Sequence, residues 1–327
     1  MLKNKNKSVR SGANARLDKF KVSAKKYMKV LWRQRYLHLM VLPAVIALFI
    51  FAYLPMPGIQ IAFRDYKFSK GIWNSPWVGL KHFEDFIFDP FVYPALKNTL
   101  GMAILKSVVF FPAPIIFALL LNEVRNLKYK KVIQTVSYLP YFISYVIIAV
   151  MVSMFLSPSD GIVNKALVGL GILDEPCFFL GEEKMFWGVA TALEVWKNLG
   201  WGSIIYIAAI AGIDPTLYEA AEMDGAKRLQ RMWYITLPSI KPTIVILFIL
   251  NMGNLLGGAS FDVSYLLGND MNYASSEILG TYVMRVGLSL GRYSYATAVG
   301  LLLSVVSVIL LFVSNGICKK ITGESFM

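Results

Sequence analysis

The chain has 327 residues, 56% of them hydrophobic and only 16% charged. That balance belongs to a polytopic membrane protein and excludes a soluble globular domain. The net charge of +13 would suit nucleic acid, but the basic residues collect in tails and connections beside the apolar runs. There they act as topology determinants near anionic lipid, so nucleic acid is set aside as a partner.

Residues 1–36 are a basic tail with twelve Lys and Arg. Positions 1–15 read as disordered. From about 17 to 35, Leu17, Phe20, Val22, Tyr27, Val30 and Leu31 are mixed in, which predicts an amphipathic helix on the inner leaflet. The first apolar run starts near Leu37 and reads as a retained signal-anchor. Six spans are predicted near 37–56, 98–121, 132–156, 186–212, 241–263 and 295–317, giving an all-α membrane domain over 37–317 with a short tail at 318–327. Pro43, Pro112, Pro114 and Pro140 fall in or at the ends of these runs, where neighbouring helices satisfy the freed carbonyls.

Orientation follows from Lys and Arg. Besides the twelve in the tail, four lie after the second span, four after the fourth and two at the C-terminus, against eight in the other loops. Both termini are therefore expected in the cytoplasm. The outer loops 57–97, 157–185 and 264–294 carry Trp73, Trp77, Tyr93, Phe178, Phe179 and Tyr273. These aromatics read either as interfacial anchors or as a docking surface for an external partner. Cys177 and Cys318 fall on opposite sides and cannot pair; His38 and His82 are far apart and read as packing or interface residues. No metal site is expected.

The connection 214–238 is long and charged for a membrane protein. Asp214 caps a helix with Pro215 at its first position, Asp224–Gly225 stops it, and a second helix, roughly 227–236, ends before Pro238. Ala220 and Ala221 allow a partner surface to come close, while Glu219, Glu222 and Asp224 supply orienting charge.

Inside the spans, polar residues are costly and face a cavity or a partner. Glu194, Lys197 and Trp201 share a helix face, with Asn198 beside them. Asn251, Asn254 and Asp262 mark the fifth span. Aromatic faces next to amide and charged groups suit a sugar, which has apolar C–H faces and many hydroxyls. These residues are thus candidates for a substrate pathway; interhelical packing is the competing reading. Gly200–Gly202 and Gly257–Gly258 allow either close helix approach or local unwinding. The chain lacks a G-x-x-x-x-G-K-[ST] phosphate loop, and no catalytic constellation stands out.

Glu219–Ala220–Ala221, then Gly225, then Ile235–Thr236–Leu237–Pro238 resembles the EAA signature of ABC importer permeases. The resemblance extends over nearly the whole chain. Trp77–Val78–Gly79–Leu80–Lys81–His82–Phe83, Tyr138–Leu139–Pro140–Tyr141–Phe142–Ile143–Ser144, Thr281–Tyr282–Val283–Met284–Arg285–Val286–Gly287 and Tyr293–Ser294–Tyr295–Ala296–Thr297–Ala298–Val299–Gly300–Leu301 are similar to the carbohydrate and polysaccharide branch. The resemblance implies a type I (MetI-like) permease fold and a transport subunit that is not itself an enzyme. ATP and Mg would be bound by two cytoplasmic ATPase subunits. A second permease, expected to be a different chain, and an extracytoplasmic solute-binding protein would complete an importer of an oligosaccharide or polysaccharide fragment. Leu217 to Met223 would be the coupling helix, with Glu219, Ala220, Ala221, Asp224 and Gly225 at the ATPase contact and Ala226, Leu237 and Pro238 holding the loop's shape. An ABC permease for a non-sugar solute, and a stand-alone channel or secondary carrier, are the alternatives.

Overall fold

A computed structural model describes residues 32–256 and 260–323, with the side chains of 321 and 322 excepted. Most of the predicted amphipathic helix and the glycines Gly257 and Gly258 lie outside the described residues. The described residues fall into two compact units that divide between Gln60 and Ile61.

In the first unit, α1 (Arg35–Leu48) carries Pro43 and runs on through a π-turn, Phe49–Tyr53, into a 3-10 stretch, Met56–Phe63. This helical run of 29 residues is long and apolar enough to cross a membrane.

The second unit begins with a short knot of loop. Arg64 donates from Nη1 to the carbonyls of Trp73 and Ser75 at 2.9 and 2.8 Å, and its guanidinium lies over Trp77. Phe63 stacks on the same indole. His82 is buried, with Nε2 at 3.2 Å from the Arg64 carbonyl, so it packs as the sequence predicts. Then follow α2 (Lys81–Phe88), α3 (Val92–Leu105), a π-turn at Lys106–Phe110 and α4 (Pro112–Asn122). Pro112 and Pro114 follow that π-turn inside one helical run, Val92–Asn122, where each removes a helical N–H donor.

The run read as a third span, 132–156, is two helices. α5 (Leu127–Tyr138) extends through a 3-10 turn to Phe142, and α6 (Tyr145–Phe155) leaves at 100°. Pro140 and the extended backbone at Ile143 and Ser144 make the elbow, and the Ser144 hydroxyl caps α6 at the Ile147 N–H. Eleven residues of α6 rise only about 16 Å, so α6 cannot cross a bilayer alone.

Next come α7 (Ile162–Gly169), α8 (Glu183–Ala211), α9 (Pro215–Met223), α10 (Arg228–Arg231), a π-turn at Met232–Thr236, α11 (Lys241–Gly253), α12 (Phe261–Leu267), α13 (Leu279–Met284), a π-turn at Arg285–Ser289 and α14 (Tyr293–Thr322). Among the described residues, three helical runs are long and apolar enough to cross a membrane, and up to six if each bent pair is one span. The fifth predicted run is interrupted. α11 stops at Gly253, and Ser260, at φ +65°, precedes α12.

Three apolar clusters hold the second unit together. Met102, Ile148, Phe186, Val263 and Leu267 join α3, α6, α8 and α12. Leu279, Tyr282, Tyr295 and Val299 join α13 and α14. Ile115, Tyr206, Ile210, Met232 and Ile240 join α4, α8 and the segment before α11. Small residues set the spacing. A Cβ on Gly200 would stand 2.1 Å from the Ser137 carbonyl oxygen, and one on Gly101 would meet the Trp187 ring at 2.2 Å. Gly200 and Gly202 thus serve close approach: α8 stays helical through both.

Candidate functional site

The loop 214–238 forms two arms. α8 ends at Ala211, and the chain turns 71° into α9. The Asp214 carboxylate accepts the Thr216 N–H at 3.0 Å. That bond and the Thr216 hydroxyl hold its carboxyl below the usual range. At the far end the Gly225 N–H donates to the Glu222 carbonyl and the Ala226 N–H to the Ala221 carbonyl, with Gly225 at φ +78°. A Cβ on Gly225 would meet nothing within 4 Å, so the backbone angle, not crowding, calls for glycine.

The second arm, α10 and its π-turn, is anchored by Met232 and Thr236, both buried. Two contacts staple α9 to it. The Tyr218 hydroxyl lies 2.9 Å from Thr236 Oγ1, and Arg231 Nη1 donates to Glu222 Oε2 at 2.9 Å. Glu222 is largely exposed, so that ion pair contributes about 1 kcal/mol at most.

Of the sequence-predicted coupling residues, Leu217, Glu219, Ala220, Met223, Asp224 and Gly225 are exposed. Ala221, Ala226 and Leu237 are half-buried, the last against the third apolar cluster, and Pro238 is exposed. No residue of α9 is buried. Beyond it Leu229, Trp233 and Tyr234 are also exposed. These three were missed in the sequence, although their apolar character inside a charged loop was a readable signal.

Of the predicted pathway residues, Lys197 and Asn198 meet at Tyr145, whose ring faces the Lys197 ammonium and whose hydroxyl accepts from Asn198 at 3.4 Å, while Glu194 holds other partners. Glu194 is buried; its Oε1 accepts from Lys106 Nζ at 3.1 Å and its Oε2 from the Ser260 hydroxyl at 3.0 Å. One carboxylate thereby ties α8 to the π-turn after α3 and to the break before α12. Lys197, also buried, donates to the Pro140 and Tyr141 carbonyls at 3.3 and 2.9 Å and to the Ile143 carbonyl. Its ammonium lies 4.7 Å from the Tyr145 ring centroid. Trp201 stacks on Tyr141 at 4.4 Å, nearly parallel. Lys197 and Trp201 therefore grip the elbow between α5 and α6 from two sides. Asn198 donates to the Glu194 carbonyl. Asn251 is half-buried, while Asn254 and Asp262 are exposed.

Other polar knots were not read from the sequence, some with partners far along the chain and some within a few residues. Asp89 accepts both the Tyr282 and Tyr295 hydroxyls, at 2.6 and 3.0 Å. Burial would raise its pKa, but the Tyr282 hydroxyl, the Phe91 N–H, the Tyr295 hydroxyl and the Arg292 charge together hold it below the usual carboxylate value. Glu277 and Arg285 form a bidentate ion pair at 2.7 and 3.1 Å, with the Tyr273 hydroxyl on the same carboxylate. Burial first, then the bond to Glu277, push the Tyr273 phenol up to about 12. Asn98, Asn164 and Asn272 each bridge two or more backbone carbonyls.

Residues 91–322 match the family of binding-protein-dependent transport system inner membrane components. Protein LplB of Bacillus subtilis is 44% identical over 91% of this chain and 93% of its own length. The polygalacturonan/rhamnogalacturonan transport system permease protein YteP of the same organism is 45% identical over 93% and 94%. Among solved structures, a bacterial alginate ABC transporter in complex with alginate pentasaccharide-bound periplasmic protein contains a chain 39% identical to this one. It aligns with a TM-score of 0.81 over 91% of this chain and 98% of that one. The helices, the stapled loop between α8 and α11 and this likeness over nearly full length lead to one conclusion: the chain belongs to the inner-membrane permease family of binding-protein-dependent ABC importers.

Proposed function

We propose that the protein is one of two different permease subunits in an ATP-driven importer of an oligosaccharide or polysaccharide fragment. A solute-binding protein delivers the cargo on the outer side. Two ATPase subunits, holding ATP and Mg, dock on the inner side at α9. Both termini of this chain are cytoplasmic. The observation that carries this reading is α9 itself: a helix with no buried residue, braced at both ends and stapled to an anchored second arm. A rigid exposed helix joined directly to the 29-residue α8 transmits a push as displacement. It requires that the two states of the loop differ in their contacts with the motor.

In this reading Leu217, Glu219, Ala220, Met223 and Asp224 touch the ATPase. Ala221, Ala226, Leu237 and Pro238 shape the loop, and Gly225 sets its turn. Asn251, Asn254 and Asp262, together with the exposed edge of Trp201, face the pathway, whereas Glu194, Lys197 and Asn198 brace it. The saccharide cargo is supported by the printed substrates of the relatives. Gly225→Asp is expected to abolish uptake of labelled oligosaccharide in reconstituted vesicles while the protein still inserts. Gly225→Asn, which like aspartate tolerates a positive φ but adds no charge at the docking face, should retain most of it. Full uptake with Gly225→Asp would remove the coupling role, and uptake of only non-sugar solutes would remove the saccharide.

A further inference from the structure

A cavity of about 300 Å³, at the small end of the range for ligand sites, opens between α12, the turn Tyr273–Ser276 and the π-turn Arg285–Ser289. One wall is the Glu277–Arg285 pair. The carboxylate is buried, but the guanidinium is 37% exposed. Its Nε and Nη2 bind Glu277, which leaves three of its five N–H donors outside that pair. Asp270, exposed, adds a second carboxylate to the lining, and Arg285 is the single cation there. The opposite wall is aromatic. Tyr265 is half-exposed, and Phe261 stacks 5.8 Å from it at 5°. Tyr273, also partly exposed, belongs to the ion-pair wall: its hydroxyl is on Glu277 and the Arg285 guanidinium lies 5.7 Å from its ring centroid. Hydrocarbon would not tolerate such a wall, so this face is turned to water or to a partner.

We infer that this cavity binds a single uncharged sugar ring. The inference rests on the saccharide reading above but takes a neutral ring, unlike the acidic polysaccharide named for a solved neighbour. A pyranose has an apolar C–H face, which fits the open Tyr265 ring. Its vicinal hydroxyls both donate and accept. The ion pair answers both needs at once, with guanidinium N–H groups to donate and carboxylate oxygens to accept. The volume suits one ring. A uronate ring is discriminated against: the only cation is already engaged by Glu277, and the Asp270 charge leaves the lining net negative. A second carboxylate brought close would be repelled.

The test uses the purified complex of this chain with its co-purifying subunits in lipid nanodiscs. Saturation-transfer NMR is recorded with methyl glucoside, methyl galactoside, methyl rhamnoside and methyl galacturonide. At least one neutral glycoside should give transfer, strongest at its C–H protons, and the galacturonide about tenfold less. Ser289→Trp fills the cavity without touching the ion pair and should cut the neutral signal about tenfold; Tyr265→Ala should do the same. Asp270→Asn, at an exposed position, should raise the galacturonide signal toward the neutral one. The inference is overturned if no neutral glycoside gives a signal sensitive to Ser289→Trp, or if the galacturonide binds as well as the neutral rings in the wild type. ATP-dependent oligosaccharide uptake is measured on the same preparation. Uptake that persists while the transfer signals are absent removes the cavity's role alone, and loss of saccharide uptake in the wild type removes the underlying reading.

Discussion

At the scale of single residues, the decisive groups are charges placed where water is scarce. Glu194 and Lys106 are nearly closed off from solvent, with side-chain exposures of 5% and 13%. Removing one partner strands the other, which costs about 3–5 kcal/mol when a buried pair is broken. Replacing both with apolar groups of similar volume is much milder. Glu194→Met and Lys106→Met, each alone, should therefore lower the thermal stability of the detergent-solubilised complex sharply, while the double variant recovers most of the loss. Additive losses in that double-mutant cycle would show that the two side chains do not support each other. Lys197 behaves differently. Its partners are backbone carbonyls freed at the Pro140 elbow, so its charge completes a bend in place of meeting a counter-ion. The sequence made Glu194, Lys197 and Trp201 legible as one face of a helix. It could not reveal that Lys197 and Trp201 share Tyr141 while Glu194 turns to Lys106, because those partners lie from 54 to 88 residues away.

At the scale of elements, local punctuation was readable and long-range interruption was not. The Asp214–Pro215 start and the Asp224–Gly225 stop fix α9 by chemistry that acts within a few residues, and the observed helix runs from Pro215 to Met223. The run 132–156 carried its own warning in Pro140 and Ser144. Membrane helices accept proline, however, so composition alone did not separate a kink from a 100° elbow. The close packing of α8 is likewise invisible without its neighbour. Gly200 faces the Ser137 carbonyl, whereas Gly188 on the same helix has nothing within 4 Å of an added Cβ. Gly200→Ala should destabilise the protein by about 1–3 kcal/mol through overpacking against rigid backbone. Gly188→Ala should be neutral or stabilise by about 0.5–1 kcal/mol through helix propensity. Chemical or thermal unfolding of the two variants side by side checks this, and equal effects would discount the α8–α5 contact as the reason for the glycine.

At the scale of the whole molecule, the charge asymmetry and the stapled loop make one combined demand on topology. The side richer in Lys and Arg must also be the side that presents α9. Met223, 89% exposed at the end of α9, and Ser289, exposed beyond α13, should then lie on opposite faces of the bilayer. In a background with Cys177 and Cys318 replaced by serine, Ser289→Cys should react with a membrane-impermeant maleimide in intact cells. Met223→Cys should react only after the cells are opened. Reaction of Met223→Cys in intact cells would invert the assignment and with it the docking of a cytoplasmic motor.

The π-turns at Lys106–Phe110, Met232–Thr236 and Arg285–Ser289 each hold a residue whose polar partner lies outside the turn, respectively Lys106, Thr236 and Arg285. Such a turn contains one residue more than the helix around it, and each residue of an α-helix sweeps about 100° about the axis. The protein is thus keyed by chain length at these places as much as by side-chain identity. Excising a single residue such as Ser107 would restore regular pitch and swivel all of α4 by more than a quarter turn, carrying Ile115 and Ala118 away from α8 without altering one atom of either.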